Sequence, residues 1–90
     1  MHDFENRRYL DKGKIVLLTK RENIILALLI ENKMNITSCK EISIAIYNQK
    51  LQGRNYENIV TIVSRLRQKL KGLLNIYNKY KEGYCLYEYW

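Results

Sequence analysis

The stretch Asn55 to Gly72, NYENIVTIVSRLRQKLKG, decides the fold. Ile59, Val63, Leu66 and Leu70 recur at steps of four, three and four, the apolar stripe of an amphipathic helix. Between them lie Asn58, Thr61, Ser64, Arg65 and Gln68, with Arg67, Lys69 and Lys71 towards the end. Short polar side chains let a helix backbone approach a DNA groove. Arg and Gln reach base edges, and Lys reaches phosphates. Taken alone, the same stretch also reads as a solvated basic surface helix, so its neighbours must choose between the two.

Length and composition narrow the field. Ninety residues suit one domain with one modest core. Hydrophobic residues at 47% exclude a disordered chain. With no Pro and four Gly, no linker or low-complexity tract is visible across residues 1–90. The longest apolar run, Ile24 to Ile30, falls far short of the ~18–20 residues of a membrane span. No apolar secretory leader opens the chain, so a cytoplasmic protein is expected. Cys39 and Cys85 have neither metal nor redox spacing, and the single histidine is His2, so no metal or cofactor is expected. No carboxylate pair or Gly-rich phosphate loop marks a catalytic site, and no enzyme activity is expected.

The net charge of +7 asks for an anionic partner. Residues 54 to 82 hold Arg54, Arg65, Arg67, Lys69, Lys71, Lys79 and Lys81 against Glu57 and Glu82. Most of the excess thus surrounds the opening helix, which favours nucleic acid over a generic basic surface.

Upstream, residues 1–6 show no pattern and are expected to fray. Arg7–Leu10 and Lys14–Leu18 flank Asp11-Lys12-Gly13, a β-hairpin pattern. Thr19 and Glu22 form a capping box that starts a helix to about Asn32, with Ile25, Leu28 and Leu29 inward. Ile24 and Ile30 either pack under the hairpin or make a protein contact. Met34–Thr37 reads as an extended link. Ser38 and Glu41 form a second capping box, for a helix to about Asn48 with Ile42, Ala45 and Ile46 inward and Ile44 outward. The polar stretch from Asn48 to Arg54 is a loop, and Asn55 is the expected N-cap of the third helix, which spans 55–71. Gly72 suits the C′ position. Asn75–Lys79 and Tyr84–Glu88 then flank Tyr80-Lys81-Glu82-Gly83, a hairpin with a basic tip, over 75–88 in all. The expected class is α+β: a short N-terminal β-hairpin, three helices and a C-terminal β-hairpin wing, a winged helix-turn-helix.

On these residues the chain resembles the winged-helix effector domain of OmpR/PhoB-type response regulators. The marks are Leu18-Thr19-x-x-Glu22, Thr37-Ser38-x-x-Glu41-Ile42, Ala45-Ile46-Tyr47, Ile59-x-x-x-Val63-Ser64-Arg65-Leu66-Arg67-x-Lys69-Leu70, and Gly83-Tyr84. They extend from about Tyr9 to Leu86. The resemblance implies a transcription regulator that binds double-stranded DNA, with the third helix in the major groove and the wing on adjacent backbone or minor groove. It implies contact with RNA polymerase through the loop Asn48–Asn55, and a homodimer on direct-repeat DNA. The sequence departs from the family in having room for only one hairpin before Leu18. Asn23 replaces a common aromatic, and Tyr80 stands where relatives carry a wing arginine. Relatives also carry a receiver domain. The sequence fits both an effector domain cut from such a protein and a small standalone regulator.

Roles follow from helix position. Arg65 faces away from the apolar stripe and is the first candidate for base readout, with a phosphate contact as the alternative. Asn58, Thr61 and Ser64 share that face as base or phosphate ligands. Gln68 lies further along. Ile62 borders the face, to meet a thymine methyl or pack on the wing. In relatives the Arg67 position serves an internal salt bridge, with Glu22 or Glu41 as partner here; a phosphate contact is the other reading. Arg54, Lys69, Lys71, Lys79, Tyr80 and Lys81 are phosphate or wing candidates. The competing function is a protein-interaction winged helix using Ile24, Ile44 and Tyr87–Trp90.

Overall fold

The computed structural model describes residues 1–79 and 82–87. Two three-stranded antiparallel sheets flank three helices. The first sheet runs β1 (His2–Asp3), β2 (Arg8–Asp11) and β3 (Lys14–Leu17) in that order. The β2–β3 turn places Lys12 at φ 49° and Gly13 at φ 74°, the paired positive φ of a tight hairpin turn.

Residues 1–6, expected from the sequence to fray, instead add a third strand to the hairpin. His2 pairs with Tyr9 and Asp3 with Arg8. The Met1 amino group also donates to Leu10 O. Asn23, buried on the first helix, holds this segment from below. Its Oδ1 lies 2.7 Å from His2 Nε2, and its Nδ2 donates to Phe4 O at 3.0 Å. Arg8 Nε pairs with Asp3 Oδ2 at 2.8 Å. A two-residue strand has no periodicity to detect, and its partners lie elsewhere in the chain. The asparagine that departs from the family pattern is thus the anchor of the first strand.

Helix α1 (Lys20–Glu31) opens on the expected box. Thr19 Oγ1 accepts from Glu22 N at 3.2 Å, and Glu22 Oε1 accepts from Thr19 N at 2.9 Å. Ile25, Leu26 and Leu29 are fully buried, Leu28 only partly, and Ile30 is exposed. Helix α2 (Cys39–Tyr47) has half a box. Ser38 Oγ accepts from Glu41 N at 3.1 Å, but Glu41 Oε2 turns to Asn32 Nδ2 at 3.2 Å, linking α2 back to the end of α1. Ile42 is buried as expected, whereas Ala45 is exposed and Ser43 takes an inward place. Ser43 Oγ donates to Gln49 O at 3.0 Å, which satisfies the buried hydroxyl and fixes the turn after α2. The Met34–Thr37 link contains β4 (Ile36–Thr37), which pairs with the C-terminal sheet.

Helix α3 runs from Gly53 to Lys69, with Gln52 rather than Asn55 at the N-cap. Tyr56 N donates to Gln52 O at 2.9 Å, so the first turn closes earlier. Leu51 packs against the core just before it. Such packing outweighs a side-chain cap, which is worth about 1 kcal/mol. Ile59, Val63, Leu66 and Leu70 are all fully buried, as their spacing requires. Leu70 is the C-cap, so Gly72 lies one place beyond C′.

The second sheet has the order β4, β6 (Gly83–Tyr87), β5 (Asn75–Lys79). Ile76, Tyr84 and Leu86 point into the core. The wing is therefore continuous with the hydrophobic centre and is braced on its other side by β4. Gly83 has φ 141°, and a Cβ there would lie 2.1 Å from Thr37 O. Only glycine allows β6 to start this close to β4.

Candidate nucleic-acid interface

An α-helix turns ~100° per residue. Glu57, Thr61, Ser64 and Gln68 consequently fall along one outer ridge of α3, opposite the buried stripe, and all four are exposed. Arg65, Asn58 and Arg54 flank the ridge on one side and are exposed too; Ile62 is half-buried below them. On the other flank lie Arg67, Lys71 and Val60, a residue the sequence reading passed over, which is 37% exposed. Its exposure followed from the same wheel but is masked in sequence by the adjoining Ile59.

Thr61 is less available than its position suggested. Its Oγ1 donates to Glu57 O at 3.1 Å, so the hydroxyl proton is committed within the helix and the methyl remains on offer.

The basic residues divide into committed and uncommitted groups. Lys69 is committed: its Nζ lies 2.6 Å from Glu22 Oε1 and donates to Leu17 O at 3.2 Å. The expected internal bridge of Arg67 with Glu22 or Glu41 is therefore made by Lys69 instead. Two residues along a helix are about 200° apart. Lys69 faces α1, whereas Arg67 faces the wing. Arg67, with Ser64, Gln68 and Lys71, lines a trough of about 410 Å³ against Leu74, Asn75 and Ile76. Arg67 also acts on Tyr84 below it. Burial, chiefly, pushes that phenol up to about 12; Cys39 and Tyr56 push the same way, and the Arg67 charge opposes them.

On the α1 side, Arg65, Ile62 and Gln68 share a second depression with Thr19 and Arg21. Arg21 lies over the Tyr47 ring at 4.8 Å. Nothing in the sequence singled out Arg21, because its capping-box position explained it already. Among the described residues Arg54, Arg65, Arg67, Lys71 and Lys79 form no ion pair. Lys79 is exposed at the end of β5; Tyr80 and Lys81, the expected wing tip, lie outside the described residues. No helix among the described residues is long and apolar enough to cross a membrane.

Residues 13–86 match the model of the family described as "Transcriptional regulatory protein, C terminal". Curated protein sequences give no match. The fold is similar to that of the DNA-binding domain of Bacillus subtilis CssR, at 26% identity and TM-score 0.80, covering 96% of this chain and 97% of that one. It is similar also to the DNA-binding domain of Escherichia coli CpxR, at 21% identity and TM-score 0.81, covering 96% and 87%. The DNA-binding domain of E. coli CadC matches at 18% identity and TM-score 0.76, covering 92% and 80%. With the family match spanning most of its length, the chain belongs to the OmpR/PhoB-type winged-helix family and is a DNA-binding effector domain of a transcriptional regulator.

Proposed function

We propose that α3 enters the major groove with the ridge from Glu57 to Gln68, and that the cations flanking it hold the phosphates on either side. The observation that carries this reading is the division among the basic residues. Lys69 is spent on the fold, while Arg65, Arg67 and Lys71 stand exposed around short polar side chains without carboxylate partners among the described residues. Arg65 reads a base edge, with Asn58, Ser64 and Gln68 beside it, and the Thr61 methyl and Ile62 provide apolar contact. Arg54 stands in the first turn of α3, where the helix macrodipole disfavours a cation, and a DNA phosphate there would reverse the sign. Lys79 and Lys81 place the wing on adjacent backbone or minor groove.

By the family pattern, two copies sit head to tail on direct repeats, and the segment 48–52 between α2 and α3 faces RNA polymerase. Acting on the chromosome, the protein works in the cytoplasm.

The test is a titration of duplex DNA across salt concentrations with wild type and Arg65→Ala. With ~4–6 phosphate contacts, log K falls with log salt at a slope near −4 to −5. Arg65→Ala keeps the melting midpoint and loses about tenfold or more on the preferred site. Binding without salt dependence, or an undiminished Arg65→Ala, overturns the reading.

A second reading, protein contact without DNA readout, draws on Ile15, Leu17 and Ile44, exposed at 63%, 69% and 56%. Of the residues first considered for it, Ile24 is half-buried, Tyr87 packs edge-on to Tyr77 at 5.0 Å, and 88–90 lie outside the described residues. Self-association in gel filtration with no affinity for duplex would favour it.

A further inference from the structure

Glu57 is the sole acidic residue of α3, and it stands on the outermost ridge of the helix. A carboxylate facing DNA is repelled by every phosphate it nears, so its position asks for a compensating duty. The usual structural duties are absent. Glu57 lies in the second turn, past the first turn where a helix macrodipole rewards an acid. Among the described residues no cation pairs with it: Arg54 and Arg65, one turn before and two turns after, leave it unbridged. Beyond the helix's own backbone bonds, its carbonyl accepts from the Thr61 hydroxyl, which leaves the carboxylate untouched. The side chain is exposed.

We infer that Glu57 is a specificity-determining residue that accepts a hydrogen bond from a cytosine amino group in the major groove. The inference rests on α3 being the recognition helix. The N-terminal residues of such a helix meet base edges, and Glu57 is among them, one turn before Thr61. An ionised carboxylate only accepts. Guanine and thymine offer acceptors alone on their major-groove edges and are rejected. Adenine offers an N6 amine, but its N7 acceptor would face the second carboxylate oxygen. Cytosine presents the N4 amine beside a C5–H, with no acceptor on the same base to oppose that oxygen. Glu57 on the ridge and Arg65 on its flank thereby discriminate in opposite directions, Arg65 for guanine and Glu57 for cytosine.

The test is selection from a randomised duplex pool with wild type, Glu57→Ala and Glu57→Gln, followed by titration of the preferred duplex and of its single-base variants. Wild type is expected to enrich cytosine at one position and to lose about five- to tenfold when that base is changed. Glu57→Ala is expected to lose preference at that position alone. Glu57→Gln is expected to shift it towards adenine, whose N6 and N7 suit an amide. Identical selected sequences for all three proteins, with both variants binding every duplex more tightly by one factor, overturn the inference and leave Glu57 as a source of phosphate repulsion. Loss of preference at every position at an unchanged melting midpoint also overturns it, since the side chain would then set docking rather than one base. If wild type selects no sequence, the recognition-helix reading fails first and the inference with it.

Discussion

Lys69 Nζ lies 2.6 Å from Glu22 Oε1, joining the last turn of α3 to the first turn of α1. The same carboxylate oxygen accepts from Thr19 N at 2.9 Å, so one buried atom serves both a helix cap and an interhelix bridge. The Glu22 side chain is 3% exposed and that of Lys69 37%. Removing the lysine therefore strands a desolvated charge, whereas the lysine itself returns readily to water.

Lys69→Ala is expected to destabilise the fold by about 2 kcal/mol, below the ~3–5 kcal/mol for breaking a fully buried pair because one partner is half in solvent. Glu22→Gln keeps an oxygen for the Thr19 cap and removes the stranded charge. The double variant should thus be more stable than Lys69→Ala alone. Urea unfolding of the four proteins measures this, and additive effects would show that the two side chains do not interact.

Gly83→Ala is expected to cost more than about 3 kcal/mol. The added Cβ would meet Thr37 O at 2.1 Å and Ser38 Cα at 2.8 Å, both of them backbone atoms that no rotamer change can move. Relief requires parting β6 from β4, which also disturbs the cap of α2 at Ser38. A melting curve for Gly83→Ala near that of wild type would mean that β4 is not seated on the wing.

These contacts show where the sequence was legible. The stripe of α3 could be read because four core positions repeat at helical period, and the capping boxes because their bonds span three residues. The winged-helix order followed from those signals. Strands β1 and β4 have two residues each, too short to show a period, and distant residues hold both: α1 anchors the β1 segment, and β6 pairs with β4. Their stability comes from Asn23 and from Tyr84 and Cys85, which no local pattern announces. The choice between Arg67 and Lys69 as the partner of Glu22 turned on which side of α3 faces α1, a tertiary fact. On α3 the exposed face could be read and the commitments could not. Thr61 looked free, yet its hydroxyl is bonded within the helix.

Arg67→Ala and Lys71→Ala are each expected to weaken binding to all duplexes alike and to make the salt slope shallower by about one. Both residues line the trough between α3 and β5, off the ridge proposed to meet the bases. Arg65→Ala should instead change which sequences are preferred. Titrations of one preferred and one random duplex over a salt series separate the two effects. A sequence-dependent loss in Arg67→Ala would move that residue into the base-reading group.

Tyr84 makes stability fall at alkaline pH in a defined window. The side chain is buried between the wing and the helices, and burial pushes its phenol up from 10.0 to about 12. Because the folded state holds the proton more tightly, its contribution is complete below pH ~10 and is lost as pH rises through ~12. Two units correspond to a loss on the order of 3 kcal/mol. Lysines and other tyrosines titrate nearby, so the measurement is the difference between wild type and Tyr84→Phe. The Phe variant lacks the ionisable group and should lose less stability between pH 9 and 12, whatever its stability at pH 7. Arg67→Ala removes the opposing charge and should shift the Tyr84 loss to higher pH. Parallel stability curves for wild type and Tyr84→Phe would mean that the phenol keeps its water on folding, and that the trough beside Arg67 reaches deeper than its lining implies.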